Sequence, residues 1–172
     1  AGAQARWGSR GRQLRHLWIS GRSCQSSSDH RKGGRGRPPE RLEISIDYEG
    51  QLPCAAVHSP SGATLGTDAP VDNNGRGEAF SPTDLVATAL GTCMATVMGI
   101  AAQRKKVPIE GMKIKVRKHM SEDLPRRISK LEVEIEMPIP EEHPEKKLLQ
   151  STVLGCPVHH SIHPEIEVPI TW

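Results

Sequence analysis

The sequence predicts an α+β domain: antiparallel sheets with a long central buried helix. Three observations carry this. The order of periodic segments is strands, long helix, strands, helix, strand. The strand segments alternate apolar and polar residues, which is the mark of a half-buried sheet. Between them, Leu85 to Gln103 is a run of 19 residues without a charge, 13 of them apolar or Cys.

The 172-residue chain divides by charge. Residues 1–39 hold nine Lys and Arg against one acid, Asp29, while residues 40–172 hold 14 against 19. The pI near 8.8 therefore describes the start of the chain and not its body. Residues 1–40 read as a basic, non-globular leader, and residues 41–172 as the folded domain. The leader has no apolar stretch of the secretory kind, and its composition resembles an organellar transit peptide or a basic tail. Cytoplasmic localisation is expected, with organellar import through residues 1–39 as the alternative. The body is acidic and holds three aromatics, Tyr48, Phe80 and Trp172. It lacks the basic stripe and stacking platforms of a nucleic-acid surface, so no specific nucleic acid is expected as a partner.

Residues 41–58 alternate at Leu42, Ile44, Ile46 and Tyr48, turn at Glu49-Gly50, and continue as a second strand through Cys54, Ala56 and His58. Pro60-Ser61-Gly62 is a further turn, Ala63–Thr67 a third strand, and residues 68–80 a loop dense in turn formers. The central helix opens with Ser81 as cap, Pro82 in its first turn and Asp84 completing a capping box. Lys105 and Lys106 complement its C-terminal dipole and Pro108 ends it. Met112–Met120 and Ile128–Met137 alternate and form a hairpin, with Lys113, Lys115 and Arg117 opposite Glu132, Glu134 and Glu136; cross-strand ion pairs should set its register. A second helix is expected over residues 144–155, a short one from Pro157, and a last strand over Ile166–Trp172.

The central helix has two stripes. Cys93 shares one with Val86, Ala89, Leu90, Val97 and Ile100; the other is Ala87, Gly91, Ala95 and Gly99. Small residues at that spacing admit a close helix neighbour, from this chain or from a second copy. Nineteen uncharged residues approach the length of a membrane span. The three Thr, two Gly, one Gln and capping motif argue for a buried helix instead, so no membrane association is expected.

Four cysteines, Cys24, Cys54, Cys93 and Cys156, include no close pair, which points to a reducing compartment and to catalytic rather than structural disulfides. Cys24 and Cys54 read as bystanders. In a helix from Cys156, the residues Cys156, His159, His160 and His163 would share a face with zinc or iron ligand types. Four ligands from one short helix converge on one ion only with strain, so no metal is expected. No dinucleotide fingerprint or phosphate loop is present, and no organic cofactor is expected.

The segments S-P-T-D-L-x-x-x-A-L-G-x-C (Ser81 to Cys93) and C-P-V-H-H-S (Cys156 to Ser161), with 62 residues between the cysteines, together resemble the OsmC/Ohr family of thiol-dependent peroxidases. H-S-P-S-G-A-T-L-x-T-D-A-P, from His58, and E-I-E-V-P-I, from Glu165, add to the resemblance, which spans residues 41–172. It implies an intertwined homodimer with two long helices at its centre, active sites at the subunit interface, and thiol-dependent reduction of organic hydroperoxides. Cys93 matches the peroxidatic cysteine and Cys156 the resolving one, with a dithiol or small thiol as reductant. In the family a Glu ten residues before the cysteine and an Arg from the first strands activate the thiol. Here the acid's place holds Thr83, followed by Asp84, and the first strands offer Gln51 and no Arg between Arg41 and Arg76. Arg76, Glu78, Asp84, His159 and His160 are the substitute candidates for activating the thiol or positioning substrate. The alternatives are an OsmC-fold dimer without peroxidase activity that binds a small ligand or metal at its interface, and a structural disulfide protein.

Overall fold

The structure, a computed structural model, describes residues 42–172. The basic leader, its boundary with the domain, and Cys24 lie outside the described residues. Six strands and three helices follow in the order β1 (Ile44–Tyr48), β2 (Cys54–His58), β3 (Ala63–Thr67), α1 (Pro82–Lys105), β4 (Lys113–Met120), β5 (Ile128–Glu136), α2 (Lys146–Thr152), α3 (Pro157–Ser161) and β6 (Ile170–Thr171). Single turns of 3-10 helix lie at Val71–Asn73 and Val153–Gly155. The α+β class and the element order agree with the sequence reading.

The strands form two sheets, β1-β2-β3 and β4-β5-β6. In the first, both pairings are antiparallel, with Ile46 opposite Ala56 and Ala56 opposite Leu65. In the second, β4 and β5 are antiparallel with Val116 opposite Val133, and Lys113–Glu136, Lys115–Glu134 and Arg117–Glu134 pair across the outer face. The expected ion-pair ladder is therefore present. The last strand differs from expectation. It shrinks to two residues and runs parallel to β5, with Ile170 beside Val133. Pro164 and Pro169 lack the N–H that a longer ladder needs.

Helix α1 is closed at both ends. Ser81 Oγ accepts from the Asp84 N–H at 3.2 Å and Asp84 Oδ2 accepts from the Ser81 N–H at 2.8 Å, the capping box expected from the sequence. Lys106, in the left-handed region, ends the helix two residues before Pro108. By length and composition α1 is apolar enough to cross a membrane. Here one side of it is packed. Leu90, Met94 and Met98 meet Leu131, Val133 and Ile135 of β5, and Leu149, Val153 and Cys156 close the core. Each such large side chain contributes about 1.5–3 kcal/mol on burial.

Among the described residues the small-residue stripe faces β4 at Gly91 rather than a helix. A Cβ on Gly91 would sit 3.0 Å from Val116 Cγ2 and 3.5 Å from Ile114 Cγ2, so Gly91 lets β4 lie directly on α1. Of the two expected neighbours, this chain's second helix or a helix of a second copy, the first is replaced at Gly91 by β4. The Cys93 stripe also divides. Leu90 is buried and Val86 and Val97 pack on the core, while Ala89 and Ile100 are exposed. The second helix begins at Lys146 rather than Pro144 and ends in the 153–155 turn.

Candidate active site

Cys156 stands at the entry of α3. Its backbone is extended, Pro157 supplies the fixed φ of the first helical residue, and the Cys156 carbonyl accepts from the His160 N–H at 3.1 Å. The side chain is fully buried. It belongs to the core cluster against which the half-buried Cys93 of α1 packs, and both cysteines are unbridged. Burial pushes the Cys156 thiol above its usual range, and Cys93 beside it adds to the rise. The backbone N–H groups of His159 and Val158, which point at the sulfur, work against it. Sixty-two residues of chain separate the two cysteines, and packing of α3 on α1 joins them.

His159 and His160 follow on α3 with rings edge to face, centroids 5.9 Å apart. His159 Nδ1 is buried and has no hydrogen-bond partner among the described residues. No group of three His, Cys, Asp or Glu side chains among the described residues converges as a metal-holding cluster.

Arg76 and Glu78 lie on the loop between β3 and α1. Asp68, buried at its base, holds that loop: its carboxylate accepts from the backbone N–H groups of Ala69, Arg76 and Glu78 at 2.7–3.3 Å. Burial disfavours the Asp68 charge, yet these N–H groups outweigh it and hold the carboxyl below the usual range. Gly75 is required here, since a Cβ would fall 1.7 Å from the Ala69 carbonyl oxygen. The loop presents Arg76 to Gln51, with Nη2 donating to Oε1 at 3.2 Å, and to Glu78 at 3.9 Å. Arg76 thus sits beside Gln51.

Asp84 is committed to the start of α1. Lys118, whose side chain is only 17% exposed, donates from Nζ to Asp84 Oδ1 at 2.6 Å and to Thr83 Oγ1 at 2.8 Å. Burial opposes the Asp84 charge, but Lys118 and Ser81 bring its pKa down to about 2. Lys118 was missed in the sequence reading. Its signal is the alternation itself, which places it on the same face as Ile114 and Val116. Asp84, Lys118 and Glu78 line a cleft of about 850 Å³ between α1 and β4, with Phe80, Thr88, Thr92 and Ile114 among its walls. Cys93 is not part of that lining. Cys54 is half-buried on β2, its sulfur 3.9 Å from the Leu52 carbonyl.

Residues 75–171 match the family model for OsmC-like proteins. No curated protein matches the chain. Among solved structures, one from Psychrobacter arcticus, described as an osmotic stress induced and detoxification response protein, is 42% identical. That match covers 74% of this chain and 93% of the other, with a TM-score of 0.70. An organic hydroperoxide resistance protein OsmC from Legionella pneumophila is 14% identical over 78% of this chain and 98% of its own, with a TM-score of 0.64. One from Elizabethkingia anophelis, with thiocyanate bound, is 14% identical over 78% and 96%, with a TM-score of 0.61. The last two share the fold. The family model covers more than half of the chain and the Psychrobacter protein matches along nearly its whole length, so the chain belongs to the OsmC-like family.

Proposed function

We propose that the protein is a homodimeric, cysteine-based hydroperoxide reductase in which Cys93 is oxidised and Cys156 resolves it. Membership of the OsmC-like family supports a peroxidase-like redox function. The observation that supports the finer reading is that the buried Cys156 and the half-buried Cys93 share one core cluster where α3 packs on α1. Such chemistry needs two thiols far apart in sequence and adjacent in space. The Cys93 thiolate attacks an oxygen of the hydroperoxide, the O–O bond breaks, and the departing alkoxide takes a proton to become an alcohol. Cys93 is left as a sulfenic acid. Cys156 then attacks that sulfur, a disulfide forms, and the oxygen leaves as water. A dithiol or small thiol returns both cysteines by exchange.

The dimer reading rests on uncovered apolar surface. Ile44, Ile46 and Tyr48 of β1 are each more than half exposed, and Ala89, Thr92, Thr96 and Ile100 leave one face of α1 exposed among the described residues. In a dimer, Arg76 and Glu78 of one protomer are available to the partner's thiol, where a guanidinium would favour the thiolate. Localisation in the cytoplasm remains part of the proposal.

The second reading, a ligand-binding dimer without peroxidase activity, draws on the cleft between α1 and β4. One experiment separates the two. Stoichiometric cumene hydroperoxide should consume two thiols per chain and yield a Cys93–Cys156 peptide by mass spectrometry, with neither change in Cys93→Ser. Retention of all thiols leaves only the binding reading.

A further inference from the structure

The cleft between α1 and β4, about 850 Å³, has the volume of a site for a small organic molecule. Cys93 is absent from its lining, so its occupancy is independent of the thiol chemistry. Its two ends differ. At the start of α1 the wall carries Asp84 and Lys118, and the loop leading into the helix adds Glu78 and Phe80. Ala95, eleven residues on from Asp84, lies about 16 Å further along the helix, where Met112 shares the lining. Between the ends, Gly91 faces Val116 and Ile114. One end is charged and the other is apolar.

Recognition depends on which hydrogen-bonding groups this lining has left. Its side-chain donors are Lys118, Thr88 and Thr92. Lys118 Nζ is engaged with Asp84 at 2.6 Å, Thr83 at 2.8 Å and Ser81 at 3.5 Å. Thr88 donates to the Asp84 carbonyl at 2.9 Å and Thr92 to the Thr88 carbonyl at 2.8 Å, each one turn back. Acceptors remain. Both threonine oxygens keep lone pairs. The Glu78 carboxylate is 72% exposed and meets Arg76, which is outside the lining, at 3.9 Å. The charges agree with this inventory, since Glu78 and Asp84 against Lys118 leave the lining one net negative charge. Phe80 is half exposed in the same wall, and an aromatic ring attracts a cation over its face. An anion entering here meets like charge and engaged donors. An ammonium ion meets a carboxylate, hydroxyl lone pairs and an aromatic ring.

We propose that this cleft binds a primary ammonium ion bearing an aliphatic chain, the ammonium at Glu78 and the chain along Gly91 and Ala95. Two parts of the wall then act separately: Glu78 selects the sign of the head group, and the small side chains of α1 leave room for the chain.

The test uses octylamine, octanoate and 1-octanol, which share a chain and differ in head group, in calorimetric titrations of the full chain. Octylamine should bind saturably and at least about 10-fold tighter than octanoate, because like charges facing each other are strongly disfavoured. Glu78→Gln should weaken octylamine about 5-fold, the scale of an exposed charge pair, and leave 1-octanol unchanged. Ala95→Leu should weaken octylamine and 1-octanol alike. Methyl resonances of Ile114 and Val116 should shift with octylamine. Cys93→Ser should bind octylamine as the wild-type protein does, which separates this site from the redox reading. Octanoate binding as tightly as octylamine overturns the proposal, as does an unchanged octylamine affinity in Glu78→Gln or a loss of binding in Cys93→Ser. Absence of saturable binding overturns it too, and is the result expected if a second copy fills the cleft.

Discussion

The two sheets of this chain are built from the same number of strands and buried to opposite degrees. In β5, Leu131, Val133 and Ile135 are at most 1% exposed beneath α1, while in β1 Ile44, Ile46 and Tyr48 are 54–67% exposed. Both sheets alternate apolar and polar residues. The difference is that β4-β5-β6 has a helix to lie against among the described residues, and β1-β2-β3 does not. An apolar strand face left open in a single chain calls for a cover, and in the proposed dimer a second copy supplies it. Cys93 and Cys156 lie on the satisfied side, where α3 packs on α1, whereas Arg76 lies with the unsatisfied sheet through Gln51.

The largest effect should come from the satisfied sheet. Leu131→Ala should cost about 2–5 kcal/mol in urea denaturation, since it leaves a cavity under α1. Ile46→Ala, on the open sheet, should cost far less at low protein concentration, and Ile44→Asp with Ile46→Asp should convert a sedimenting dimer to a monomer. A wild-type protein that sediments as a monomer would break the comparison, because the open face would then have no cover. Next comes the contact between α1 and β4. Gly91→Leu should cost about 1–3 kcal/mol by overpacking, since Val116 and Ile114 already touch the space above Gly91. A neutral result would mean that β4 moves off α1 readily.

The smallest effect concerns acid. Asp84 has its pKa depressed to about 2 from 3.8, so its stabilising contribution is present above pH 3.8 and is lost as pH falls through about 2. The side chain is 40% exposed, so solvent screening reduces that contribution to about 1 kcal/mol. Asp84→Asn should remove this portion of the acid transition followed by circular dichroism. An unchanged acid limb would show that the Lys118 pair adds nothing.

Much of this was legible in order along the chain. The capping box of α1, the charge ladder of the β4–β5 hairpin and the Pro157 start of α3 are local patterns, and local patterns depend on residues a few positions apart. The two cysteines were singled out by motif, and the packing of α3 on α1 brings them together. Lys118 was legible in principle from its inward place in the alternation, but a lone lysine on an apolar face has no meaning until Asp84 and Thr83 stand beside it. The parallel β6 was not legible, because strand direction depends on where the returning chain arrives. The facing of Gly91 to β4 was not legible either, since a small-residue stripe permits close approach without naming what approaches.

The sequence by itself therefore determined the elements, their caps, the class of fold and which thiols to examine. Periodicity and capping act over single turns and strands, where sequence distance and spatial distance nearly coincide. Only the tertiary structure decided the company each side chain keeps: Cys93 with the core cluster of Cys156, Lys118 with Asp84, Arg76 with Gln51, and a His159 nitrogen unpaired among the described residues. Those pairings arise from packing between segments tens of residues apart, and burial, which raises the Cys156 thiol and isolates His159 Nδ1, exists only once that packing has formed.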